Sequence, residues 1–107
     1  MAKATLNRET ARVNPTEHMH RKAALRFSTY RENQATAILL VDPKTGEKLL
    51  TATVNLPVKP AEGCVWLKTW NENQGLVDNL IKAGIISLTG AVAHTGYACA
   101  LEGRLLV

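Results

Sequence analysis

The chain has 107 residues, 46% hydrophobic and 21% charged, with 13 Lys or Arg against 9 Asp or Glu for a formal net charge of +4. That length leaves room for one domain, which buries roughly 60 to 65% of its unfolded surface, and for no second domain devoted to catalysis. The longest apolar runs, such as Ala37 to Val41, fall far short of the ~18 to 20 residues of a bilayer span. The first residues lack the apolar core of a signal peptide, so a cytoplasmic protein is expected.

The charge is unevenly placed. Residues 1–34 carry Lys3, Arg8, Arg12, Arg21, Lys22, Arg26 and Arg31 against Glu9, Glu17 and Glu32, while the remainder balances six against six. An N-terminal excess of this kind suits an acidic partner, either nucleic acid or an acidic protein surface; the bland alternative is a solvated stretch that keeps a small domain soluble. Apolar residues before Ala23 are sparse and follow no period, and Pro15 interrupts any long helix. Residues 1–22 therefore read as a basic arm ordered by a partner. A short helical turn is expected from Pro15, with Asn14 as N-cap and Glu17 three residues on. His18 and His20 stand two apart without an adjacent acid or thiol, which reads as an exposed pair rather than as metal ligands.

From Leu25 the pattern changes, with Leu25, Phe27 and Thr29 alternating with Arg26, Ser28 and Tyr30 as in a half-buried strand. Arg31 to Gln34 makes a turn, and Ala35 to Val41 is apolar enough for a central strand. Asp42-Pro43-Lys44-Thr45-Gly46 is turn chemistry, with Pro presetting one dihedral and Gly supplying a positive one. It predicts a hairpin whose return strand, Glu47 to Leu56, puts Leu50, Ala52, Val54 and Leu56 on one face. After a loop marked by Pro57, Pro60 and Gly63, Cys64 to Trp70 alternates again, setting Val65, Leu67 and Thr69 against Trp66, Lys68 and Trp70. So small a chain is not expected to bury both of those faces. A helix from Glu72 to Ala83 follows, with Asn71 as N-cap, Gln74 three residues on, an apolar stripe of Leu76, Val77, Leu80 and Ile81, and Gly84 as a left-handed C-terminal cap. Ile85 to Leu88 reads as a short strand or turn closed by Thr89-Gly90, and Tyr97 to Leu101 as a last strand before Gly103. The fold class is α+β: residues 23–107 form one domain, a mainly antiparallel sheet of four or five strands with one helix packed on a face.

The inventory for chemistry is thin. Cys64 and Cys99 lie in apolar stretches and read as free thiols. His94 is the lone histidine of the folded body and stands near Cys99, but no third group to orient it is apparent. The His-x-Glu and Cys-x-x-Cys spacings of a zinc deaminase are missing, as is a phosphate-binding glycine loop. A non-enzymatic protein without metal or cofactor is expected. The candidate binding residues are Arg8, Arg12, Arg21, Lys22 and Arg26 in and beside the arm, and Trp66, Lys68 and Trp70. On one strand face these last three make an aromatic platform with a cation between, as single-strand binders use. Against this, the helix is expected to cover at least one tryptophan, which leaves at most a single aromatic anchor at the rim of a protein interface.

Tyr30-Arg31-Glu32-Asn33, Thr51-Ala52-Thr53-Val54-Asn55-Leu56-Pro57, the run from Trp66 to Gly75, Ala83-Gly84-Ile85, Thr89-Gly90 and Gly96-Tyr97 together resemble an uncharacterised family of short proteins carried by phages, plasmids and conjugative elements. The resemblance spans residues 30–100 and leaves out the basic arm. The family pattern places a basic residue soon after the Thr-Gly pair, where this chain has Ala91-Val92-Ala93-His94. What the resemblance implies is a setting: a small mobile-element protein that binds a host protein stoichiometrically in the host cytoplasm. Inhibition of host defence, in the manner of an anti-CRISPR protein acting on a defence nuclease or CRISPR effector complex, is the leading expectation. The alternative is a nucleic-acid-binding accessory protein using the arm and the Trp/Lys face. Either would work as a monomer or homodimer, without a membrane partner.

Overall fold

The computed structural model describes residues 7–15 and 22–107. Of the expected arm, residues 1–6 and 16–21 lie outside the described residues, and with them Arg21, the His18 and His20 pair and the Glu17 end of the helical turn. Ala11 to Pro15 correct the arm reading, because they put three side chains into the core. Asn7 Oδ1 accepts from the amides of Glu9 (2.9 Å) and Thr10 (3.1 Å) to close a turn. Strand β1 (Arg12–Val13) then pairs antiparallel with β2 (Ala23–Thr29). Ala11, Val13 and Pro15 are buried, alternating with Arg12 and Asn14. That is strand periodicity, but only three residues of it, set among charges.

Strands β3 (Thr36–Val41) and β4 (Lys48–Thr51) complete a four-stranded antiparallel sheet in the order β1-β2-β3-β4. β3 is its apolar interior strand, with Ile38 and Leu40 fully buried. The β3–β4 turn forms as its residues dictate: Asp42 Oδ1 accepts from the Lys44 amide at 2.8 Å, and Gly46 takes a φ of 76°.

Beyond Thr51 the chain leaves this sheet for another. In an unbroken ladder Ala52 would both donate to and accept from Ile38. Its N–H does reach the Ile38 carbonyl (2.8 Å), but its own carbonyl accepts instead from Lys68 N (2.9 Å), while Val54 N donates to Trp66 O (3.1 Å). These bonds, with a bridge between Thr53 and Leu67, attach the chain to β5 (Cys64–Leu67). The switch orphans the Ile38 N–H, while the Thr51 carbonyl beside it points away from β3, and side chains take both. Thr53 Oγ1, 2.9 Å from the Tyr30 hydroxyl, accepts from Ile38 N at 3.2 Å, and Asn73 Nδ2 donates to Thr51 O at 2.8 Å. Thr53 and Asn73 are accordingly buried.

The second sheet is antiparallel in the order β5-β7-β6, from β6 (Ile86–Thr95) and β7 (Ala98–Leu105). Together the two sheets hold seven strands, and with one α-helix the described chain is α+β as its sequence implies. The helix starts later than expected. Asn71–Asn73 forms a 3-10 turn, Asn71 itself takes a φ of 56°, and Gly75, at φ 85°, is the N-cap of α1 (Leu76–Lys82). Its other end matches its sequence signal: Ile85 N bonds to Leu80 O and Gly84 N to Ile81 O, the Schellman pattern, with Gly84 at φ 77°. Leu76 and Leu80 are fully buried and Val77 packs against the core, but Ile81 is 40% exposed, so the apolar stripe is narrower than expected. Asn79 Nδ2 donates to Asn14 O (2.9 Å), tying α1 to the end of β1.

Thr89-Gly90 does not close a strand either. β6 runs on to Thr95 and turns into β7 over Gly96-Tyr97, with Gly96 at φ 62° in the first turn position. The Thr-Gly pair lies in a bulge: Leu88 pairs with Gly103 and Val92 with Leu101, so Thr89, Gly90 and Ala91 oppose Glu102 alone.

Two outcomes test this architecture by urea unfolding. Leu80→Ala is expected to cost ~2–5 kcal/mol by leaving a cavity under α1. Thr53→Val, similar in shape but with no acceptor for the buried Ile38 amide, is expected to cost ~1–3 kcal/mol, with Thr53→Ser milder.

Candidate binding surface

Strand β5 ends at Leu67, so Trp66, Lys68 and Trp70 do not share a strand face. Cys64, Val65, Trp66 and Leu67 are all buried, which corrects the expectation that one face of this segment stays open. The reason is the sheet switch. Val65 and Leu67 join the main core with Leu76 and Leu80, while Trp66 forms a second small core with Leu56 and Ala100, flanked by Val54, Trp70 and Ala93. Trp66 is 6% exposed and its Nε1 donates to Val58 O at 2.7 Å, so it is covered by the 56–58 segment rather than by the helix. Lys68 Nζ is ion-paired to Glu72 Oε1 at 2.8 Å and stands 5.9 Å from the centre of the half-buried Trp70 ring. The Lys68 hydrogen bond is the main cause holding the Glu72 carboxyl below its ordinary range. What remains of the platform is one partly exposed ring.

The basic candidates are dispersed, and three of the arginines each already have a donor engaged. The Arg8 guanidinium lies 4.0 Å over the Phe27 ring, and its Nε reaches Val107 O at 3.3 Å. Arg12 Nη1 donates to Glu9 O and Ala11 O, both at 2.9 Å, and Arg26 Nη2 to Gly46 O at 3.2 Å. Arg12 and Lys22 do meet, with Asn79 and Lys82, around a shallow cleft of about 180 Å³. Lys82 joins them from α1, a convergence no local signal in the sequence marks.

The most accessible feature is one the sequence did not single out. β7 pairs one side of β6, and among the described residues no strand pairs the other. Exposed edges are normally blunted with charges or proline, yet Ile86–Thr95 contains no Asp, Glu, Lys, Arg or Pro. Leu88 and Val92 are 45% and 50% exposed, and Tyr97 stands fully exposed at the turn. Beside Leu88 a cleft of about 190 Å³ is lined by Thr69, Asn73, Val77, Asp78 and Leu101.

Glu102 holds the edge in shape from beneath the bulge. Its Oε1 accepts from the Thr89 hydroxyl at 2.6 Å and its Oε2 from the Ala61 amide at 3.0 Å. The Thr89 bond first, then the Ala61 bond, keep this buried carboxyl below its ordinary range in spite of desolvation. No protein-family model, curated protein or solved structure matches this chain.

A carboxyl lowered in the folded state stabilises the fold above its unfolded pKa, and that contribution is lost as pH falls through the folded value. Glu102→Gln is therefore expected to cost ~1–2 kcal/mol at neutral pH and to remove part of the stability loss on acidification. Urea titrations of both proteins at neutral and acid pH check this.

Proposed function

We propose that the chain is a small binding protein that acts stoichiometrically on a protein partner, which adds an extended segment to the free edge of β6. One observation carries this reading: a long strand edge without charge or proline, bearing exposed Leu88 and Val92. Main-chain hydrogen bonds would supply the pairing, and alternate apolar side chains of the partner would meet Leu88 and Val92. The net charge of +4 favours a partner of acidic overall charge. The resemblance to short mobile-element proteins supports a host protein in the host cytoplasm as that partner, and a defence nuclease or CRISPR effector complex is the first to test.

The cleft of Arg12, Lys22 and Lys82 favours a second reading, contact with nucleic-acid phosphates. With Trp66 buried, that reading has no two-ring platform to draw on.

Capture from host lysate, repeated after nuclease treatment and across a salt series, separates the two. On the first reading capture survives nuclease and Lys82→Glu, but is lost in Val92→Lys, whose exposed position lets the variant keep its fold. On the second, capture disappears with nuclease and with Lys82→Glu, survives Val92→Lys, and falls steeply with salt through counterion release.

A further inference from the structure

The β6–β7 hairpin brings together two side chains that strand addition does not use. His94 and Cys99 face each other across the ladder, one pair inward from the turn, and Cys99 Sγ lies 3.2 Å from His94 Nδ1. His94 is exposed and Cys99 partly so. Thr69 Oγ1 donates to the Cys99 carbonyl at 2.9 Å and steadies that strand position. Both cysteines are free, but Cys64 is buried and pairs with Arg104 toward the opposite end of β7. Among the described residues there is thus one accessible thiol with a base in contact and one inaccessible thiol without one.

We propose that Cys99 is a redox-sensitive modification site, which His94 activates toward small disulfides such as glutathione disulfide. The thiolate is the reactive form of cysteine, and a neighbouring imidazole promotes it. The Sγ–H proton passes to His94 Nδ1, and the thiolate attacks one sulfur of the disulfide. The Sγ–S bond forms as the disulfide bond breaks. The departing thiolate carries off the electron pair and takes up a proton from His94 or water, to give a mixed disulfide and one free small thiol. The small disulfide is the oxidant. Among the described residues no further hydrogen bond orients the His94 ring, and Cys64 is too remote along β7 to resolve the adduct. The chemistry therefore ends at a single stoichiometric modification.

Dithiodipyridine added to the reduced full chain reads this directly. One thiol per chain is expected to react rapidly in the wild type and in Cys64→Ser, and none in Cys99→Ser. A second thiol reacts in the wild type only after unfolding in urea. In Cys64→Ser at neutral pH, folded Cys99 should react ~10-fold or more faster than the same thiol in the unfolded chain. His94→Gln should remove that advantage while tryptophan fluorescence reports an intact fold. Glutathione disulfide should then leave one adduct by mass, on Cys99. A folded Cys99 no faster than the unfolded thiol, a rate indifferent to His94→Gln, or no glutathione adduct would each overturn the proposal.

Discussion

The architecture depends on a change of partner at a single residue. Ala52 gives its N–H to β3 and its carbonyl to Lys68, and so belongs to both sheets at once. Such a switch is tolerable in a buried position only if the groups it abandons find new partners, since each one left bare costs ~1–3 kcal/mol. The Thr53 hydroxyl replaces the Ala52 carbonyl at Ile38, and the Asn73 amide takes up the outward-facing Thr51 carbonyl next to it. Thr53, beyond the end of β4, and Asn73, in the turn after Trp70, are thereby parts of one joint. The joint also makes β5 interior on both faces, which removes Trp66 from any surface role.

Where a signal was local, the sequence was legible. β2, β3, the Asp42–Gly46 turn and the Gly84 end of α1 need only neighbours in the chain to form, and they lie where periodicity and turn chemistry put them. The start of α1 was less so, because Asn71 and Gln74 imitate a capping box while Gly75 is the residue that takes the left-handed conformation at the cap. Thr89-Gly90 carries the composition of a terminator, and only Glu102 on the facing strand makes it a bulge. β1 escaped notice because three buried residues among arginines leave a period too short to read. The basic candidates show a different limit. Their number is plain from the sequence, whereas the groups that engage Arg8 and Arg26, the Phe27 ring and the Val107 and Gly46 carbonyls, come from distant segments. The contact of His94 with Cys99 was foreshadowed by their closeness in the chain, but its 3.2 Å depends on the register of the hairpin.

The bulge reconciles an uncharged edge with the need to avoid indiscriminate pairing. A flat, continuous ten-residue edge would template almost any extended chain, itself included. Thr89 to Ala91 divides β6 into two short stretches and adds twist between them. On the binding mode proposed for this edge, a complementary strand would have to match either a short register or the bend itself, and selectivity would come from backbone shape without charge. Glu102 maintains that bend from inside the fold.

The strand order of the second sheet has a consequence for how the molecule is made. β7 lies between β5 and β6, yet it follows both in the chain, and Cys64 finds its partner at Arg104. During synthesis β5 emerges with Val65, Trp66 and Leu67 ready to pack and no neighbour on that side, and β6 follows with both of its edges open. Non-local pairings of this kind fold slowly and leave apolar surface uncovered meanwhile. Gly103 makes closure exacting, because a Cβ there would stand 2.7 Å from Ile86 and 2.8 Å from Leu67. The second sheet thus assembles only once its centre strand is available, and until then the apolar side chains of β5 lack that neighbour.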